Sequence, residues 1–156
     1  MAQLQRSASY RLVKPSEIRD PLRDLRNVVV FLAERFAIDF AANGIRWQGR
    51  IIAQFTAHER LVLLYLCFWF LHKPEKWVHV EKLVDNIFPL PDGRDACSPH
   101  KPKHAIQQVI SQIRRKLGED QHKPAFLLCK RNLGYKLQAK QGYGSAFVRM
   151  YQEDMK

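Results

Sequence analysis

The chain has 156 residues, 46% of them hydrophobic, which is enough for one domain with extensions and excludes a wholly disordered protein. Lys and Arg outnumber Asp and Glu by 26 to 15, and residues 99–136 alone hold nine basic and two acidic residues. A block of one sign predicts a polyanionic partner, for which nucleic acid is favoured over an anionic membrane surface or a merely solvated face.

The first 27 residues show no clear periodicity, and we expect them to form an N-terminal extension. From Val28 to about residue 55, short runs of β-favouring residues alternate with turn signals. The strongest signal is Asn43-Gly44, a dipeptide that tolerates the positive φ angles of a tight hairpin. This pattern predicts an antiparallel sheet of three or four strands.

A strongly apolar helix is predicted after the sheet. Thr56 and Glu59 have the spacing of a capping box at its start, and Pro74 ends it. The apolar run Leu61–Leu71 is far shorter than the roughly 20 residues that cross a bilayer. We therefore interpret it as a buried helix and expect no membrane partner.

Two further helices are separated by a proline-rich loop over residues 89–103. VHVEKLVDNIF has the apolar spacing of the short second helix. The third helix is predicted from about Pro102 or Lys103 to Leu117, with Gly118 as the residue that ends it.

A β-hairpin completes the pattern, because AFLLCK and YKLQA flank the turn RNLG. Residues 141–156 are polar with a few aromatics, and we expect a short helix or a disordered segment there. The order of sheet, three helices and hairpin predicts the α+β class and a winged helix-turn-helix. This domain is expected over residues 28–138, between an extension at 1–27 and a tail at 139–156.

The third helix has two chemically distinct faces. The predicted core stripe consists of Ile106, Ile110, Ile113 and Leu117. The opposite face carries His104, Gln108, Ser111, Gln112 and Arg115. Gln can pair with adenine and Arg with guanine or phosphate, and the helix N-terminus near Lys101, Lys103 and His104 favours phosphate. The same residue types are also common on an ordinary solvent-facing helix.

The hairpin tip strengthens the nucleic-acid interpretation. Lys130 and Arg131 precede a turn in which Asn132 and Gly134 both tolerate positive φ, and Tyr135 is expected to tuck its ring beneath the hairpin. A long cation on a narrow β tip suits the minor groove or flanking phosphates.

The segments HAIQQVISQIRRKLGED and FLLCKRNLGYKL resemble the C-terminal half of the OmpR/PhoB-type winged-helix DNA-binding domain of bacterial response regulators. FTAHERLVLLYL and VHVEKLVDNIF are similar to its first two helices, so the resemblance covers roughly residues 36–138. It implies a sequence-specific regulator of transcription that binds double-stranded DNA in the bacterial cytoplasm. The third helix would enter the major groove and the wing, as the hairpin is called, the minor groove.

The resemblance also assigns roles to individual residues. Gln108, Ser111 and Gln112 occupy positions that face bases, and Arg131 the wing position that enters the minor groove. His104, Arg114 and Arg115 occupy phosphate- or base-facing positions. The full set of expected DNA-binding residues is Lys101, Lys103, His104, Gln108, Ser111, Gln112, Arg114, Arg115, Lys130 and Arg131.

This sequence departs from the family pattern in several places. His104 stands where Arg is usual, Asn132 replaces a wing glycine, and the loop over residues 89–103 is longer than typical. In the family that loop can contact RNA polymerase, so its length puts the mode of activation in question. The 35 residues before the similar region are too few for a receiver domain, so phosphorylation in cis is not expected. RNA polymerase, a second regulator and a homodimer on DNA remain open as partners.

A different class of function rests on the aromatic residues of the first helix. Tyr65, Phe68, Trp69 and Phe70 cover more of the helix than one core stripe needs. The alternative is a winged-helix module for protein interaction inside a larger assembly, or for replication or plasmid maintenance.

Other chemistry is weakly supported. Cys97, His100 and His104 have a spacing that could offer three zinc ligands, but a fourth is not obvious, and a polar loop is the preferred interpretation. Paired carboxylates, nucleophile motifs and phosphate-binding glycine loops are absent from the sequence, so neither an enzyme nor a cofactor is expected. The three cysteines, Cys67, Cys97 and Cys129, are expected to be free thiols in a reducing compartment.

Overall fold

The computed structural model describes residues 9–87, 100–118 and 125–150. These residues form two units, one made of the chain up to Gln54 together with the chain from Ala139 onwards, the other of Phe55–Gln138.

The first unit is built on a six-stranded antiparallel sheet with the order β1-β8-β2-β3-β4-β5. Its strands are β1 (Ser9–Val13), β2 (Val28–Ala33), β3 (Phe36–Asp39), β4 (Gly44–Trp47), β5 (Arg50–Gln54) and β8 (Ala146–Met150). The predicted strands between residues 28 and 55 are confirmed and number four. A short 3-10 helix (Pro15–Glu17) and a single helical turn (Pro21–Asp24) lie between β1 and β2.

Tight turns connect the strands from β2 to β5. Asn43 has a φ of 54° directly before β4, as the Asn-Gly signal predicted. Gln48 and Gly49 have φ values of 51° and 81° in the turn between β4 and β5, which matches the paired positive angles of a type I′ hairpin turn.

The expectation of a short helix or a disordered segment over residues 141–156 is wrong for Ala146–Met150, which forms strand β8 between β1 and β2. Val148 pairs with Val28 on one side and with Arg11 on the other. A five-residue strand whose partners lie more than a hundred residues away leaves little local signal, because its stability comes from cross-strand pairing. The sheet therefore contains strands from all three predicted segments of the chain. The domain boundaries at residues 27/28 and 138/139 stay a prediction.

The second unit contains the three helices and the hairpin of the predicted winged-helix domain. Its elements are α1 (Ala57–His72), α2 (Val80–Ile87), α3 (His100–Leu117), β6 (Leu127–Lys130) and β7 (Gly134–Leu137). Helix α3 begins at His100, earlier than predicted, because Pro102 falls in the first turn, where a proline costs no helical hydrogen bond. None of the helices in the described ranges is both long and apolar enough to cross a membrane.

The core of this unit follows the predicted periodicity. The α3 stripe of Ile106, Ile110, Ile113 and Leu117 is buried. In α1, Val62, Leu63 and Leu66 are buried, and Cys67 is a fully buried free thiol whose pKa is raised by the loss of solvent. Thr56 and Glu59 form the predicted capping box. The amide of Glu59 donates to Oγ1 of Thr56 at 3.3 Å, and the amide of Thr56 donates to Oε1 of Glu59 at 3.0 Å.

Candidate nucleic-acid interface

Helix α3 presents a polar face opposite its buried stripe. His104, Gln108, Gln112 and Arg115 are exposed and Ser111 is partly exposed. His104 and Gln108 lie one turn apart, and their Nε2 atoms are 3.4 Å from each other. We call these five residues the polar face of α3, and its side chains offer both donors and acceptors along one side of a rigid rod.

At the start of α3, Lys103 forms an ion pair with Glu81 of α2, with 3.0 Å between Nζ and Oε1. Lys103 holds the pKa of Glu81 below its usual value, with a smaller contribution from His79. Both side chains are well exposed, so solvent screens the pair and a phosphate could displace Glu81 from Lys103. Lys101 lies in the first turn of α3, and its side chain falls outside the described part of the structure.

Arg114 differs from the other expected DNA-binding residues. Its Nε and Nη2 atoms donate to the carbonyl oxygen of Leu127 at 3.2 and 3.0 Å. Leu127 is the first residue of β6, so this guanidinium joins α3 to the wing. Arg114 is therefore occupied by a structural contact in this protein, while the neighbouring Arg115 is exposed.

The wing tip is a short cationic turn. Lys130, Arg131, Asn132 and Leu133 are all exposed, and the amide of Leu133 donates to the carbonyl oxygen of Lys130 at 3.0 Å. Asn132 has a φ of 69°, a left-handed angle that Asn accepts more easily than most residues. The replacement of the usual wing glycine by Asn is therefore compatible with the turn.

Close to its tip, the wing makes a contact that the sequence did not predict. Val78, in the connection between α1 and α2, exchanges two backbone hydrogen bonds with Tyr135 at 2.7 and 2.9 Å. Tyr135 is buried, as predicted, and this burial raises the pKa of its hydroxyl. The β-favouring residues Trp77 and Val78 were the available signal, but a single bridging residue is too short to be recognised as a strand.

The C-terminal end of α3 is attached to α1. Lys116 forms an ion pair with Glu59 at 2.6 Å, and the Glu59 side chain is 1% exposed. Glu59 thus has a second role beyond the predicted capping of α1, which its sequence position alone could not reveal. Together with the contact between Arg114 and Leu127, this ion pair holds the C-terminal part of α3 in place.

Lysine side chains lie over aromatic rings elsewhere on the same unit. The Nζ atoms of Lys76 and Lys82 lie 3.8 and 5.4 Å from the ring centre of Trp69, and Lys136 lies 4.6 Å from that of Trp77. These distances are within the range of cation–π attraction. The aromatic residues of α1 on which the alternative function rests, Tyr65, Phe68, Trp69 and Phe70, are neither fully buried nor fully exposed.

The zinc interpretation gains no support from the described residues. Within them, no three His, Cys, Asp or Glu side chains come together as a metal site. Cys97 lies outside the described residues.

Comparison with known proteins identifies the fold. No family model matches the chain, and no curated protein matches it in sequence. Among solved structures, the chain is similar to the response regulator DrrB, a Thermotoga maritima OmpR/PhoB homologue, with 21% identity and a TM-score of 0.50 over 67% of this chain and 42% of DrrB. It is also similar to the DNA-binding domain of E. coli CadC, with 22% identity and a TM-score of 0.51 over 73% of this chain and 94% of that domain. The chain thus spans less than half the length of DrrB, and the predicted resemblance in fold is confirmed.

Proposed function

We propose that this chain, which has the winged-helix fold of OmpR/PhoB-type DNA-binding domains, is a transcription regulator that binds double-stranded DNA in a sequence-specific manner. The CadC domain, to which the chain is similar, is named as a DNA-binding domain. In this proposal α3 lies in the major groove and the tip of the wing reaches the minor groove.

One observation carries the proposal: an exposed polar face on α3 and an exposed cationic wing tip occur in one unit, and Arg114 joins the two elements. A buried stripe explains the other side of α3, but core packing does not require Gln108, Gln112 and Arg115 opposite it. Glutamine is a side chain that reads the edges of bases, and arginine contacts either guanine or phosphate.

The proposal divides the expected residues by role. Gln108, Ser111 and Gln112 contact bases, and Arg131 enters the minor groove. The phosphate contacts come from Lys101, Lys103, His104, Arg115 and Lys130. Arg114 is reassigned from a DNA contact to the residue that positions the wing.

The wider assignments also remain proposals. The fold resemblance implies a location in the bacterial cytoplasm, and it implies a homodimer, RNA polymerase or a second regulator as partners. Within the second unit, the described polar and cationic residues support binding rather than catalysis. Use of the winged helix for protein interaction alone is the rival function, and the partly exposed aromatic residues of α1 are the feature that favours it.

A selection experiment tests the proposal. The full chain is incubated with a random pool of duplexes, and bound molecules are sequenced and then titrated at several salt concentrations. We expect an enriched motif, with log K falling linearly with log salt by about 0.9 for each phosphate contacted. Failure to enrich any motif, together with weak binding of similar strength for every duplex, would show that the unit serves another partner.

Replacing Gln112 with Ala should relax the preference at one base pair of the selected motif. Loss of a paired amide costs about 1–3 kcal/mol of discrimination there, while the other positions keep their preference. Gln107→Ala is the matched control, because Gln107 is also exposed but lies on the flank of the polar face of α3. Competition between the motif and its single-base variants measures the effect, and equal losses on motif and scrambled DNA would remove Gln112 from base reading.

A further inference from the structure

One turn of α3 places a titratable side chain against a glutamine of its polar face. His104 and Gln108 are four residues apart, which puts them on the same side of the helix. Their Nε2 atoms lie 3.4 Å from each other, and both side chains are exposed. The protonation state of the His104 imidazole therefore acts directly on the amide of Gln108.

The contact in the structure belongs to the neutral imidazole. The amide nitrogen of Gln108 is a donor, so the ring nitrogen of His104 that it faces has to be the unprotonated, accepting one. A neutral ring has one donor and one acceptor nitrogen, and its two tautomers exchange these roles. Neutral His104 can consequently take either end of the Gln108 amide.

Protonation removes that choice. Both nitrogens of a protonated imidazole donate, so Nε2 of His104 then pairs only with the amide oxygen, Oε1 of Gln108. A hydrogen bond from a charged donor is also stronger than one from a neutral donor. Rotation of the Gln108 amide about its last side-chain bond is enough to exchange its two ends. The proton on His104 thus decides which end of the amide is left for DNA.

The two ends of a glutamine amide read different bases. Adenine presents an acceptor and a donor in the major groove, and glutamine pairs with both only when its oxygen and its nitrogen are free to face the base. If protonated His104 holds the oxygen of Gln108, only the NH2 group remains. Two donors no longer match adenine, whereas guanine presents two acceptors, N7 and O6.

Few charges surround His104. The charged residues of the two helices packed against α3 are Glu59 and Arg60 on α1 and Glu81, Lys82 and Asp85 on α2. Glu81 reaches α3 beside His104, where its carboxylate pairs with Lys103 at 3.0 Å, and Glu59 pairs at the opposite end of the helix. The side chains of residues 100–102 fall outside the described part of the structure. Because the pair of Lys103 and Glu81 carries no net charge, a proton on His104 adds a positive charge to this end of α3.

We propose that His104 makes the base preference of Gln108 depend on pH. When neutral, His104 leaves Gln108 free to pair with adenine through both ends of its amide. When protonated, it holds the amide oxygen through Nε2 and keeps its second N–H for a phosphate, so that the preference for adenine falls while the attraction to DNA rises. This inference rests on the proposed DNA binding and adds a regulation of the same site.

The test compares base preference on the two sides of the range in which histidine titrates. The full chain is titrated at about pH 7.5 and about pH 5.5 with the selected duplex and its single-base variants. Gln108→Ala and Gln112→Ala first assign the base pair that each glutamine reads. We expect the preference for adenine at the Gln108 base pair to fall about fivefold at the lower pH. The preference at the Gln112 base pair should stay constant, because Gln108 and not a histidine lies one turn before it.

Histidine variants assign the change to one side chain. His104→Asn cannot take up the proton, so its preference at the Gln108 base pair should be the same at both pH values. His79→Asn is the matched control and should keep the fivefold change. It removes another exposed histidine of the same unit, while asparagine can still accept from the amide of Glu81, as Nδ1 of His79 does at 3.2 Å.

A measurement without DNA separates this inference from the proposed function. In the free chain, the side-chain amide signals of Gln108 should shift with the same pH midpoint as the imidazole of His104, and this shift should disappear in His104→Asn. Amide signals that ignore the imidazole, or a base preference that is equal at both pH values or still changes in His104→Asn, would overturn the inference while leaving DNA binding intact. Failure to select any motif would overturn the proposed function, and the pH-dependent reading of bases with it.

Discussion

Replacing Gly134 with Ala is expected to lower the free energy of unfolding by about 3 kcal/mol or more and to detach the wing from the connection between α1 and α2. Gly134 has a φ of 116°, which a residue with a side chain adopts only under strain. An added Cβ would also overlap the carbonyl group of Val78, with 2.6 Å to its carbon atom. The backbone must therefore move, and the two hydrogen bonds between Val78 and Tyr135 are the contacts that break first.

Gly118→Ala is the control for this variant. Gly118 also has a positive φ, of 75°, but an added Cβ there meets no atom of the described residues within 4 Å. Its replacement should cost only the strain of the left-handed conformation, about 1–2 kcal/mol. Denaturant unfolding gives both free energies, and hydrogen exchange at the amides of Val78 and Tyr135 reports the wing contact. Similar losses in both variants, with the exchange rates unchanged, would show that the contact with Val78 contributes little.

Replacing Arg114 with Met should greatly reduce the contribution of Arg131 to the proposed DNA binding, although the two residues lie on different elements. Arg114 fixes the first residue of β6 through two hydrogen bonds to Leu127. Without them the wing tip samples several positions, and Arg131 must be ordered when DNA binds. We expect Arg131→Ala to weaken binding about tenfold in the original chain but only about twofold in the Arg114→Met background, a coupling of about 1 kcal/mol.

A double-mutant cycle on the selected duplex measures this coupling, and Arg115→Met in place of Arg114→Met is the matched control. Because Arg115 is proposed to contact phosphate itself, its loss and that of Arg131 should add without coupling, and should lower the salt slope. Additive effects for Arg114 as well, with a lower salt slope, would restore Arg114 as a direct DNA contact. Hydrogen exchange in β6 needs no DNA, so it tests the wing-positioning role even if the proposed function fails.

Local patterns in the sequence predicted most of the second unit. The apolar spacing of Ile106, Ile110 and Ile113 places α3 and its two faces, and Thr56 with Glu59 marks the start of α1. The residues that make up such a signal lie within one or two turns of a helix, so the signal can be recognised in a single sequence. The exposure of the polar face of α3 and of the wing tip follows from the same periodicity, whereas the DNA-binding roles of these residues stay a prediction.

Contacts between distant segments could not be predicted in this way. Arg114 is polar and lies next to Arg115 in sequence, yet its position on the helix brings it to Leu127 while Arg115 remains exposed. The pairing of Val78 with Tyr135 and the insertion of β8 into the sheet likewise depend on the folded chain rather than on local composition. In each case one residue or one short strand finds a partner far along the chain, and hydrophobic periodicity carries no information about that partner.

The insertion of β8 between β1 and β2 has a practical consequence for anyone who shortens this chain by removing the residues after the wing. Cutting after the wing would remove an interior strand of the sheet, since β1 pairs with β8 and with no other strand in the described ranges. Segment 9–13 would lose its attachment, and β2 would present an open row of amide and carbonyl groups to other molecules. The shortened protein should self-associate through that edge, so measurements of DNA binding belong on the intact chain.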